Sequence, residues 1–399
     1  MFEKVILRRS ENGAALTAGE LAEALLFYQN VHIILDFGSL TGLIHQIGMP
    51  TLLSLLSRPN ISAVYTEDML TVMPTVINGS QYYSFEAMQI VGNDKVGNLP
   101  TQKKRFEHLL MVQGRYDKKQ SKRYFERFRG YVPFRKLTDD HYIEGGILSA
   151  ANMDLLDNEY LKSAVRLGLE DRVGSSATPP DFDFEVYQEG KQFHINTNLN
   201  FEKLSHIQSV KAGIKMGFNE TNLMLDILNT RNELVFASHF GGEFYTSNLS
   251  SRMIDLKCSG LLKRISIEQQ NISDFSRVVT AEAPRIKDLI NSKAKTFDEF
   301  LSLLDRSAKF KSWLVNVNPD QEIVAEYLKA VSSEGWAQSI PSKVLRYVFT
   351  GVVGAIEPIT GHAFSLADTF LLEKLIGGWK PNRFVEKNLS SFLELTDDI

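Results

Sequence analysis

The chain has 399 residues, of which 43% are hydrophobic and 23% charged, with a formal net charge of −4. Such a composition supplies a packed core and excludes global disorder, and the length suits two or three domains. A single cysteine, Cys258, excludes an internal disulfide and any metal site built on cysteine pairs.

The first 70 residues alternate strand and helix. Phe2–Arg8 reads as a strand. Thr17 and Glu20 fit a capping box, and Leu21, Ala24, Leu25 and Tyr28 follow at helical spacing. Val31–Leu35 is a short apolar run ending at Asp36, a buried strand. Leu40–Ile47 and Pro50–Ser57 read as two short helices, with Gly48 ending the first and Pro50 in the first turn of the second. Ile61–Tyr65 is a further strand. Strands alternating with helices imply a mostly parallel sheet with right-handed crossovers.

The pattern then changes. Leu70–Ile77 and Gln81–Val91 flank Asn78-Gly79, the signature of a tight hairpin. Thr101 is placed to cap a helix. Small and turn-forming residues at 174–180 mark a linker. Phe182–Tyr187 and Gln192–Thr197 form a second hairpin around Glu189-Gly190, with His194 and Asn196 on one strand face. Beyond residue 200 the reading is almost wholly helical, with periodic segments at Thr221–His239 and Leu249–Ile265, where Cys258 is a buried small hydrophobe. Thr296 and Glu299 make another capping box, and Asn318-Pro319-Asp320 breaks one helix and opens the next. Tyr347–Ala367 carries one formal charge, Glu357, and reads as a buried helical hairpin or a membrane-active segment. The expected architecture is an α/β amino-terminal domain, mostly parallel sheet plus hairpin, over 1–100. A basic helical region follows over 101–173, then a hairpin and a largely α-helical domain over 181–399.

One stretch departs from the acidic background. From Lys103 to Lys136 there are twelve Lys or Arg against Glu107, Asp117 and Glu126, a balance of +9 that leaves −13 on the rest of the chain. A concentration of one sign attracts polyanions. Within it, at 100° per residue, Lys118, Lys119, Lys122, Arg123, Arg127 and Arg129 cover about half of a helix circumference. Tyr124, Phe125 and Phe128 cluster on the opposite arc. The aromatic arc would dock on the protein, leaving a cationic face for nucleic acid or another polyanion, with Tyr116, Tyr131 and Phe134 at the flanks available to stack on bases. The same pattern also describes a solvated helix face neutralised by acids elsewhere, or a contact with an acidic membrane surface.

A rival reading rests on strand ends, where ligands of parallel sheets gather. Asp36 ends one strand, and Glu67 and Asp68 follow another. With Gly38, Ser39 and Thr41 in the adjacent turn, these carboxylates would hold a divalent cation for phosphodiester hydrolysis. The turn matches neither the P-loop nor the dinucleotide fingerprint. His141, with Asp139, Asp140 and Glu144, and His239, at a helix end, are further polar candidates, but an acidic loop or helix N-terminus explains the first better and favourable cation placement at a helix C-terminus explains the second without catalysis. No targeting segment and no spanning helix is expected, and the default location is the cytoplasm. The leading expectation is a non-enzymatic binding or regulatory protein that contacts nucleic acid or another polyanion through the basic helix. A protein partner, a metal-dependent phosphoesterase and a membrane-active effector are the alternatives.

Overall fold

A computed structural model describes residues 2–10, 13–89, 93–94, 97–138, 140–241, 243–245, 247–257, 272, 275, 284–316 and 381–393. The first strands form as the apolar runs dictate: β1 is Lys4–Leu7, β2 Asn30–Leu35 and β3 Ile61–Tyr65. They run parallel, and β10 (Glu243–Tyr245) adds to the β1 edge, giving the order β10-β1-β2-β3. Helix α1 (Ala18–Phe27) links β1 to β2 and starts at the expected capping box. Thr17 Oγ1 accepts from the Glu20 N–H, and the Glu20 carboxylate accepts from the Thr17 N–H.

Between β2 and β3 lies α2 (Phe37–Leu56), two helices joined at a break. Gly48 takes φ 76° and ψ 155°, a conformation that lacks the helical ladder and suits only glycine. The Met49 N–H freed by the break donates to the Tyr116 hydroxyl at 2.8 Å. The expected pair of short helices is therefore present, and Asp36 caps the first, accepting from the Ser39 N–H at 2.8 Å. By length and apolarity α2 is long enough to cross a membrane, but half of that stretch is buried inside the protein.

Strands β4 (Asp68–Ile77) and β5 (Ser80–Gln89) make the first hairpin. Asn78 and Gly79 both take positive φ, 51° and 84°, as a two-residue hairpin turn requires. Two-residue strands β6 (Asn93–Asp94) and β7 (Gly97–Asn98) follow. Helices α3 (Gln102–Val112), α4 (Lys118–Tyr131), α5 (Gly146–Leu156) and α6 (Asn158–Val173) come next. The second hairpin is β8 (Phe184–Glu189) and β9 (Gln192–Thr197). The two hairpins join through β5 and β9, with Tyr83 opposite Phe193, into one antiparallel sheet ordered β4-β5-β9-β8. Pro74 is tolerated because β4 is an edge strand. Helices α7 (Phe201–Ala212), α8 (Glu220–Phe240) and α9 (Asn248–Lys257) follow. The chain is thus an α/β amino-terminal region with a parallel and an antiparallel sheet, and helices in its later part.

Residue contacts divide the chain into two units, one of residues 1–5, 17–31 and 265–399, the other of residues 6–16 and 32–264. The expected cuts near residues 100 and 173 both fall inside the second. In the first unit, α1 packs on helices Ile286–Asn291, Phe297–Arg306 and Ala308–Val315. Phe27 meets Phe275 and Phe310 edge-on, and Phe310 stacks on Phe384. Gly19 is required because a Cβ there would lie 2.3 Å from the Lys287 carbonyl. Arg285 forks onto the Glu23 carboxylate, and buried Lys311 donates to the Leu25 carbonyl near the end of α1. Thr296 and Glu299 form their capping box. Cys258, the Asn318-Pro319-Asp320 break and the Tyr347–Ala367 segment lie outside the described residues.

In the second unit α8 is the organising helix, touching α5, α6, α9 and β4. It also receives the buried Arg8 of the strand edge. Glu233 lies 3.6 Å from Arg8, the Asn232 carboxamide, oriented with its oxygen inward, accepts from both terminal nitrogens at 2.9 and 2.7 Å, and the Phe236 ring lies 5.6 Å away. Burial pulls the Arg8 guanidinium down to about 10.

Candidate nucleic-acid interface

Helix α4 begins where the sequence places it. Asp117 accepts from the Gln120 N–H at 2.8 Å, and Gln120 Oε1 accepts from the Asp117 N–H at 3.1 Å, a reciprocal cap. The side chains then separate by period. Ser121, Tyr124, Phe125 and Phe128 are buried, while Lys118, Lys119, Lys122, Arg123, Arg127 and Arg129 are all exposed.

The buried arc is locked by aromatic packing. Phe128 lies 4.8 Å from Phe106 of α3 and 5.9 Å from Phe134, and it meets Tyr65 of β3 edge-on at 6.0 Å. Phe125 joins Phe106 and Phe134. Edge-to-face ring pairs add to the area they bury. Burial, reinforced by the nearby Glu67 charge, pushes the Tyr65 phenol far above its ordinary range. The segment after α4 runs beside β3, with Tyr65 donating to Pro133 and accepting from Arg135 through the backbone. At the other end Tyr116 packs against Tyr124, and His45 bonds the Gln113 carbonyl at 2.8 Å. The helix is therefore fixed at both ends and along its underside.

The cationic arc is a different matter. Among the described residues, none of the six cations comes within 4.0 Å of a carboxylate. Arg123 rests 5.4 Å over the Tyr124 ring, which orients it without neutralising it. Lys118 and Lys119 stand in the first turn, where the helix dipole is already positive, so the local potential is raised further. Not every cation of the basic stretch is free. Lys103 bonds Glu126 and lies 4.0 Å from Glu107, and Arg105 forks onto Glu67 at 3.2 and 2.6 Å. Of the three flanking rings, Tyr131 is exposed, Tyr116 is engaged at the α2 break and Phe134 is packed in the cluster.

The strand-end carboxylates sit where expected, after β2 and β3, and each is held by the chain itself. Asp36 caps α2 and pairs with Arg9 at 2.9 Å. Glu67 receives Arg105. Asp68 is buried, accepting from the Leu137 N–H at 2.8 Å and the Gln89 amide at 3.3 Å. Among the described residues no group of three or more His, Cys, Asp or Glu is arranged to hold a metal ion. The His141 ring lies 4.8 Å from that of His239, and burial, with the His141 charge, lowers the His239 pKa. Asp139 lies outside the described residues. A polar cleft of about 640 Å³ is lined by Arg9, Arg172, Asp171, Asp226 and Glu233, and the first residues of α9. Its guanidiniums are likewise committed, Arg9 to Asp36 and Arg172 to Asp226.

The Arg105–Glu67 fork, the Arg8 pocket on α8 and the junction of the two hairpins are absent from the sequence reading. Each joins residues tens of positions apart or more, and no local periodicity encodes such a pairing. Compared with protein-family models, with curated proteins and with solved structures, the chain matches none.

Proposed function

We infer that the chain is a non-enzymatic binding protein that contacts nucleic acid through the outer face of α4. The observation that carries this reading is the contrast within one helix: an aromatic arc locked into the core and six cations with no carboxylate partner among the described residues. A rigidly held cationic face neutralises phosphates and releases their counterions at little ordering cost. An acidic membrane surface fits less well, because an interfacial helix needs its apolar face free and here that face is consumed. The phosphoesterase reading is disfavoured because Asp36, Glu67 and Asp68 are each satisfied by protein donors.

The test is binding of labelled single- and double-stranded DNA and RNA, titrated with salt. If all six cations meet duplex phosphates, the slope of log K against log salt approaches about −5. Reversing Lys118, Lys119, Lys122 and Arg123 to Glu is expected to abolish binding while leaving the thermal transition near that of the wild type, since all four are exposed. Unchanged affinity in that variant would remove the proposal.

A further inference from the structure

The sheet β4-β5-β9-β8 has two unlike faces. Alternation along each strand sends Leu70, Val72, Tyr83, Phe85, Phe193 and Val186 inward, where all are buried. Helices α5, α6 and α8 contact these strands. Among the described residues, no helix is packed on the opposite face. Met69 and Met88, paired across β4 and β5, are 45% and 43% exposed, and Met73 and Ile77 are 41% and 40% exposed. Tyr187, opposite His194, is 54% exposed.

At the strand positions of this face the charge has one sign. Its outward strand positions carry Glu86, Glu185 and Glu189 and no lysine or arginine. Two of the carboxylates are held in place by neighbours on the same face. Tyr187 donates to Glu185 at 2.5 Å, and Ser84 donates to Glu86 at 3.1 Å. Three flexible thioethers on β4 and β5, with Glu86 among them and Glu185 and Glu189 across the same face on β8, make a surface that adapts its apolar shape but selects by charge. A contiguous exposed apolar face rimmed by polar groups marks an interaction site.

We propose that this face docks a cationic amphipathic segment of a partner protein, with apolar side chains on Met69, Met73 and Met88 and Lys or Arg against Glu86, Glu185 and Glu189. Charge complementarity selects this occupant. Phosphates would be repelled by the three glutamates, so the face is separate in chemistry from α4. A second copy of the chain offers cations on α4, but the apolar arc of that helix is already buried.

The experiment uses the full-length protein and a fluorescent helical Leu/Lys peptide of about five turns, beside a peptide of the same composition with leucines and lysines scrambled. The amphipathic peptide is expected to bind at least tenfold more tightly than the scrambled one. Met69→Gln with Met73→Gln and Met88→Gln, and separately Glu185→Gln with Glu189→Gln, should each weaken it about tenfold with circular dichroism unchanged. Equal binding of the two peptides, or full affinity in both variants, overturns the proposal. So does dimerisation that the methionine variant abolishes, which assigns the face to a second copy, or oligonucleotide binding lost on Tyr187→Ala, which assigns it to bases.

Discussion

Helices α3 and α4 come from the same basic stretch and share one aromatic cluster, yet Lys103 and Arg105 of α3 are used in the opposite way to the six cations of α4. On α3, Lys103 reaches Glu126 and Glu107, and Arg105 forks onto Glu67 beyond β3. Those charges hold elements together. On α4, six cations project with no carboxylate among the described residues within 4.0 Å. Net charge along a sequence therefore overstates what is available to a ligand, because part of it is spent inside the fold. What remains is concentrated on one helix whose orientation the rings determine.

Breaking the shared support should have the largest effect. Phe128 is fully buried and touches Phe106 of α3, Tyr65 of β3 and Phe134. Phe128→Ala is expected to cost about 3–5 kcal/mol, the range for truncating a buried aromatic. Urea denaturation measures it. A loss under about 1 kcal/mol would mean that the rings are not what seats the two helices. Next comes the contrast between the cations themselves. Arg105→Ala strands the part-buried Glu67 carboxylate and should cost about 2 kcal/mol. Lys119→Ala should fall within about 0.5 kcal/mol of the wild type. Equal losses from the two would erase the distinction between structural and available charge.

Much of this region is legible in the sequence, and the limits are physical. Local signals are met where they are expected: the Thr17–Glu20 and Thr296–Glu299 boxes, the Asn78-Gly79 turn and the helix break at Gly48. Each depends on residues within a few positions of one another. The division of α4 into aromatic and cationic arcs is also legible, because helical period alone determines it. The partners of the charges are not. Glu67 lies 38 residues from Arg105, and Arg285 lies 262 residues from Glu23. Asp36 shows the same limit at the strand ends. Its position after β2 suits a ligand site, but Ser39 and the non-local edge arginine Arg9 decide its use. The open face of the hairpin sheet was hidden for a related reason, since each hairpin alone leaves undefined which face the helices will cover.

The smallest effect is expected from the exposed link between the two helices, Lys103 with Glu126. The hydrogen bond to Lys103 holds the Glu126 carboxyl below its ordinary value of 4.5, and the same bond holds the Lys103 ammonium above its ordinary 10.5. The signs define a window. A depressed carboxyl contributes stability above its unfolded value that is lost as pH falls through the folded one. A raised ammonium contributes stability below its unfolded value that is lost as pH rises through the folded one. The wild type should therefore exceed Glu126→Gln in melting temperature by a small, even margin between pH 4.5 and 10.5, narrowing on either side. Because both groups are open to solvent, added salt should shrink that margin as well. A margin that ignores both pH and salt would show that Glu126 acts through packing, and Lys103 would then join the cations that α3 and α4 leave available.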